Sequence, residues 1–132
     1  MKSETPQPGK AFGEQPRILV VEDDPAVALT ITTLLEAEGY PVEHSPTSAG
    51  ALELLVERNF PIVISDIYLD ECTGLDILRR ARSLNPRCAV ILMTAHGSLQ
   101  TVVEATEAGA FDYIAKPFLL PQFMQVVRNA IS

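Results

Sequence analysis

Five polar side chains stand at the ends of apolar runs in this 132-residue sequence: Asp23 and Asp24 after Ile18 to Val21, Asp66 after Ile62 to Ser65, Thr94 after Ala89 to Met93, and Lys116 after Ala110 to Ala115. Brought together they make three carboxylates, one hydroxyl and one ammonium. Clustered carboxylates repel one another by about 4 kcal/mol per close pair at an effective dielectric of about 20, so three together call for a cation. An all-oxygen, partly hydrated set of that kind suits Mg2+. Each residue also has a plainer use. Asp24, directly before Pro25, is a good helix N-cap, a role that needs one carboxylate where three are present. An isolated aspartate at a strand end is a loop residue, an isolated Lys-Pro is a solvated turn, and Thr94 is the N-terminal signal of a following helix. Their joint placement favours the site.

The five residues converge only if the segments carrying them are parallel strands, because in open parallel sheets the ligand crevice lies outside the carboxyl ends of the strands. From Arg17 onward, apolar bursts of strand length alternate with stretches of helical spacing, five times over, which is the pattern of a parallel sheet covered on both faces. The first strand, Ile18 to Val21, is apolar on both faces, as a central parallel strand requires. A helix follows with Pro25 at its first position, Val27, Ile31, Leu34 and Leu35 on one stripe, and Gly39 closing it. Pro41 to His44 reads as an edge strand, Thr47 to Arg58 as the second helix, and Ile62 to Ser65 as a strand ending at Asp66. Gly74 to Leu84 is the third helix, Ala89 to Met93 the fourth strand, and Ser98 to Ala108 a helix closed by Gly109. Ala110 to Ala115 is the fifth strand, and Pro121 to Ile131 the last helix. Residues Met1 to Pro16, with three prolines, two glycines and one isolated aromatic, read as a flexible leader to a domain over Arg17 to Ser132.

Composition excludes several classes. A length of 132 residues fits one domain, and 47% apolar against 20% charged residues lies far from the composition of disordered chains. A net charge of −7 has the wrong sign for wrapping nucleic acid, so direct binding to it is not expected. The longest apolar runs are far shorter than the ~20 residues of a membrane span. Two cysteines, Cys72 and Cys88, in neither a CxxC nor a metal-ligand spacing, supply no disulfide framework or zinc site, which fits a cytoplasmic location. They read as a loop thiol and a strand-edge packing residue.

The segments VVEDD, VISDIYL, ILMTAHG and GAFDYIAKPF, in that order, resemble the receiver domains of bacterial two-component response regulators, over Arg17 to Ile131. The resemblance implies a flavodoxin-like (βα)5 fold, a doubly wound five-stranded parallel α/β sheet in the order 2-1-3-4-5, with helices one and five on one face. It implies that Asp24 and Asp66 bind Mg2+ directly, that Asp23 holds it through water, and that the backbone carbonyl of Tyr68 adds an oxygen. Asp66 would be the phosphoacceptor, taking a phosphoryl group from a sensor histidine kinase or phosphotransfer protein. Lys116, the Thr94 hydroxyl and backbone amides after Asp66 and at Ala95 would hold the phosphoryl oxygens. Tyr113 and Thr94 would form the switch to an output surface on helix four, strand five and helix five, read through Leu99, Val102, Thr106, Phe111 and Tyr113 by an output domain or target protein. A cis peptide at Lys116-Pro117 and a phosphorylation-dependent homodimer are further implications.

Two features depart from the family pattern: Asp70, followed by Glu71, stands where many receivers have proline, and the last helix offers only Arg128 as a cation for a charged dimer interface. GAFDYIAKPF looks closer to receivers of nitrogen-regulation-type activators, which would place the domain in transcription regulation. Tyr68 and His96 flank the path of attacking water, so a slow loss of the phosphoryl group is expected. Such a domain is a switch that phosphorylates and dephosphorylates only itself. The enzyme-class alternative is a haloacid-dehalogenase-type aspartyl-phosphate phosphatase, but that family carries DxD after its first strand where this chain has EDD. A flavin or nucleotide binder needs a Gly/Ser/Thr-rich loop there, and the acidic EDDP turn would repel its phosphate.

Overall fold

In the computed structural model, which describes residues 15–69, 73–95 and 98–131, strand β1 (Ile18–Val21) is buried along its whole length. Met1 to Glu14 of the expected leader, the stretch Asp70 to Cys72, and His96 lie outside the described residues. Helix α1 (Pro25–Ala37), β2 (Val42–Ser45), α2 (Ser48–Glu57), β3 (Ile62–Asp66), α3 (Gly74–Leu84), β4 (Ala89–Thr94), α4 (Leu99–Glu107), β5 (Asp112–Ala115) and α5 (Leu120–Ile131) follow in that order. All strand pairs are parallel and the sheet order is β2-β1-β3-β4-β5, the expected doubly wound arrangement. Neighbours β1 and β3 run in register, Val21 beside Ser65, so the residues just past β1 meet the end of β3.

Period-two alternation divides the core. Ile18, Val20, Ile62 and Ile64 pack with Ile31 and Leu35 of α1 and with Phe123, Met124 and Val127 of α5. Leu19, Val21 and Val63 pack on the other face with Ala51 and Leu55 of α2, Ile77, Leu78 and Ala81 of α3 and Ala105 of α4. Strands buried on both faces leave their backbone polar groups no water, so the ladder must be complete. The apolar packing on both faces sets the register on which the site depends.

Element ends differ slightly from the sequence reading, for local reasons. Thr47 caps α2 by accepting from the Gly50 amide at 3.1 Å, and Ser98 caps α4 by accepting from Thr101 at 3.1 Å, so both helices start one residue later than expected. β2 is shifted one residue, to Val42–Ser45. β5 begins at Asp112 because the Ala110 amide still closes α4 on Ala105 and the Phe111 amide reaches the Val90 carbonyl. Gly39 and Gly109 take the left-handed φ values of 93° and 96° that end α1 and α4, and the Lys116-Pro117 peptide is cis. Cys88 is buried and free, and burial pushes its thiol up to about 11. No helix among the described residues is long and apolar enough to cross a membrane.

Phe123 is fully buried and stacks on Phe118 at 5.1 Å, whereas Leu29, on the outer side of α1, is 67% exposed. Phe123→Ala is therefore expected to cost about 3–5 kcal/mol in urea unfolding, and Leu29→Ala no more than about 0.5 kcal/mol.

Candidate functional site

The site is assembled where β1, β3, β4 and β5 end. Glu22, the first residue past β1, is 1% exposed, and its amide donates to the Ser45 carbonyl at 3.2 Å, which carries the β1–β2 ladder one step beyond the strand. Asp66 is the last residue of β3 and 8% exposed. Lys116 follows β5, and its amide donates to the carbonyl of Thr94, the buried last residue of β4, at 2.9 Å. From there its Nζ donates to Asp66 Oδ2 at 2.7 Å and to Glu22 Oε1 at 2.7 Å. Asp66 Oδ1 accepts from the Tyr68 amide at 3.1 Å. Among the described residues one group of carboxylates is spaced to hold a metal ion, Glu22, Asp23 and Asp66, with ligand oxygens all within 4.8 Å of one another.

The carboxylates the structure groups differ from the expected ligand set by one residue. Asp24 is the N-cap of α1: its Oδ1 accepts from the Ala26 amide at 2.9 Å and the Val27 amide at 3.4 Å, with Pro25 at the first helical position. Its carboxylate is engaged by the helix end and is not part of the group. Glu22 takes its place and went unnoticed in the sequence. The signal was present: once Asp24 before Pro25 is assigned as a cap, the acidic pair left at the end of β1 is Glu22-Asp23.

Small residues let the chain close over this edge. A Cβ on Gly74, the first residue of α3, would lie 2.5 Å from the Asp66 carbonyl oxygen, so glycine is required for α3 to start beside the end of β3. The Ser65 hydroxyl donates to that same carbonyl at 2.9 Å. Of the expected switch and output residues, Thr94 is buried, Tyr113 and Val102 are half-buried, and Thr106 is exposed. Leu99 is 81% exposed and Phe111 45%, and Val103, absent from the expected stripe, is also exposed.

Burial raises the pKa of Glu22; the Lys116 hydrogen bond, the Asp24 amide and the Lys116 charge oppose this, the Asp66 charge adds to it, and the net shift is upward. Burial would lower Lys116, but its hydrogen bonds to Asp66 and Glu22 and their charges hold the ammonium above its ordinary value. Burial also raises the Tyr113 hydroxyl, with a further push from Tyr68. Three carboxylates facing one ammonium leave two negative charges unmatched, on an all-oxygen donor set that a hard divalent cation fits.

The family model described as the response regulator receiver domain matches residues 18–128. The transcriptional regulatory protein ZraR of Klebsiella oxytoca is 36% identical over 120 residues, a stretch covering 91% of this chain and 27% of that protein. The chain thus spans about a quarter of the length of the curated relatives it matches. A CheY-like response regulator receiver domain from Methanospirillum hungatei superimposes with a TM-score of 0.86 at 31% identity, covering 89% of this chain and 94% of that one. The beryllofluoride-activated NtrC4 receiver domain dimer gives 0.82 at 30% identity, covering 87% and 95%. The phosphatase alternative gains no support from these matches.

Asp24→Ala is expected to destabilise the fold by about 0.5–2 kcal/mol through loss of the cap, seen in thermal unfolding, and to weaken Mg2+ binding less than Asp23→Ala does, because Asp24 is not one of the grouped carboxylates. A pH dependence arises from Glu22. Because its folded-state pKa lies above the ordinary 4.5, the folded protein holds the extra proton, and stability falls as pH rises from 4.5 through the raised value. In EDTA, the Tm of Glu22→Gln relative to wild type should therefore climb as pH is raised from 4.5.

Proposed function

The chain belongs to the response regulator receiver domain family, and from that premise we propose that Asp66 is its phosphoacceptor, charged by a sensor histidine kinase or phosphotransfer protein. The observation that carries this reading is the Lys116 ammonium, 2.7 Å from an oxygen of Asp66 and backed by buried Glu22. A carboxylate oxygen of Asp66 attacks phosphorus in line, the P–N bond to the donor histidine breaks as the O–P bond forms, and the imidazole leaves. Lys116 then pairs with a phosphoryl oxygen, having been held in place beforehand at the end of β5. The Thr94 hydroxyl, at the end of β4, donates to another. Glu22, Asp23 and Asp66 are spaced to hold a divalent cation; with the Tyr68 carbonyl they would hold Mg2+, which would supply charge neutralisation at the phosphoryl oxygens.

The acyl phosphate adds nearly two negative charges at the edge of the sheet and draws Thr94 toward them. Tyr113, on β5 beside β4 and half-buried, moves into the space vacated and changes the face made by α4, β5 and α5. Exposed Leu99, Val103 and Phe111 give that face the apolar surface with which it meets an output domain or target protein. Taking such a two-state element from about 1:99 to 99:1 needs about 5.5 kcal/mol, so some active form persists without phosphate. The domain turns over only its own phosphoryl group. The relatives it matches support an output in transcription regulation.

Acetyl phosphate with Mg2+ should add a single ~80 Da group by intact mass, absent from Asp66→Asn and in EDTA. Labelling of Asp66→Asn, or sustained turnover of phosphomonoesters, would refute the assignment. With beryllofluoride, backbone NMR shifts should reach Leu99 to Thr106 and Phe111 to Tyr113; changes confined to the Asp66 loop would leave the output face unsupported.

A further inference from the structure

Every polar atom of Glu22 is held. Its amide donates to Ser45, one carboxylate oxygen accepts from Lys116 and the other from the Asp24 amide at 3.1 Å. The fourth group is the backbone carbonyl, which lies past the last paired residue of β1 and so has no strand partner. It is met by a side chain twenty-two residues away: His44 Nε2, on edge strand β2, stands 2.8 Å from the Glu22 carbonyl oxygen. A carbonyl only accepts, so Nε2 carries the proton and the ring donates. His44 stands on β2 beside Val20, two residues before Glu22, and the ring closes the gap beyond the end of the ladder.

Resting on the reading of Glu22, Asp23 and Asp66 as a cation site, we infer that His44 is a positioning residue for it, fixing through the Glu22 carbonyl the turn from which two of the three carboxylates are presented. The chain between β1 and α1 is only Glu22, Asp23 and Asp24, and Asp24 is anchored at its far end by the α1 amides. At the near end the Glu22 amide is tied to Ser45 and its carbonyl to His44. With both ends tied, the Glu22 and Asp23 oxygens keep their spacing to Asp66 before any cation arrives, and the cation does not bear the cost of ordering them. Released from His44, the Glu22 carbonyl turns to water and the peptide joining Glu22 to Asp23 gains freedom, at the point where Asp23 is itself exposed.

The test uses Mg2+ alone as the probe, at one fixed pH, read by NMR titration of the Asp23 and Tyr68 amides, on wild type, His44→Ala and His44→Gln. A glutamine amide nitrogen reaches about where Nε2 stands and restores the donor. His44→Ala should weaken Mg2+ binding by about tenfold, the lower end of the loss typical when an outer partner of a metal ligand is removed, while His44→Gln recovers most of it. The limiting rate of labelling by acetyl phosphate at saturating Mg2+ should stay near wild type, because His44 touches no reacting atom. Unchanged Mg2+ affinity in His44→Ala overturns the inference. So does a loss that glutamine fails to restore, which would assign the effect to β2 packing. Absence of saturable Mg2+ binding in wild type would overturn the cation reading itself, and the role of His44 with it.

Discussion

The Lys116 ammonium, shared between Asp66 and Glu22, is the interaction on which the rest of the site depends. Glu22 is 1% exposed and Asp66 8%, and two carboxylates so placed would repel each other with little water to screen them. Removing one member of such a buried ion pair typically costs about 3–5 kcal/mol, because the others are left charged and unmatched. One lysine does not match three carboxylates, however. The site keeps a surplus of negative charge, and burial, with a smaller push from the Asp66 charge, raises the pKa of Glu22. The arrangement tolerates the acidic cluster and remains short of positive charge, a condition that suits a hard divalent cation.

Nothing within a single element brings these groups together. Glu22 and Lys116 are ninety-four residues apart and Asp66 lies fifty from Lys116. Their meeting depends on the parallel register of β1 with β3 and of β4 with β5, which is fixed in turn by burying Ile, Leu and Val on both faces of the sheet. A slip of one residue would send Asp66 to the opposite face. The apolar core therefore acts on function through geometry, and Gly74 shows how tight that geometry is: α3 begins so close to Asp66 that one additional methyl group would meet its carbonyl.

The same economy appears around the β1–α1 turn. Three consecutive acidic residues have three different fates: Glu22 is buried against Lys116, Asp23 faces solvent beside it, and Asp24 caps a helix. Their chemistry is nearly identical and their roles are set by which backbone or side-chain donor lies within reach. Exposed Leu99 and Val103 lie on α4 and exposed Phe111 directly before β5, while Thr94 and Tyr113 stand on the adjacent strands β4 and β5.

Much was legible in the sequence because it is governed by local rules. Runs such as Ile18 to Val21, the spacing of Ile31 and Leu35, the glycines ending α1 and α4, and the placement of Asp66 and Lys116 after strands depend on residues within a few positions of one another. Asp24 shows the boundary. Pro25 made the cap readable, yet three adjacent acids gave no means of deciding which of them would turn toward a lysine on a distant strand. That choice came from the extra ladder step that fixes Glu22 against Ser45 and from the α1 amides that engage Asp24. The need for glycine at position 74 and the contact from His44 to Glu22 are likewise absent from any local pattern, since each arises from the approach of chains far apart in sequence. The sequence by itself determined the elements and the chemical types at their ends. Only the tertiary structure decided which of those groups share one site, because hydrogen bonds and burial act through distances that spacing along the chain does not specify.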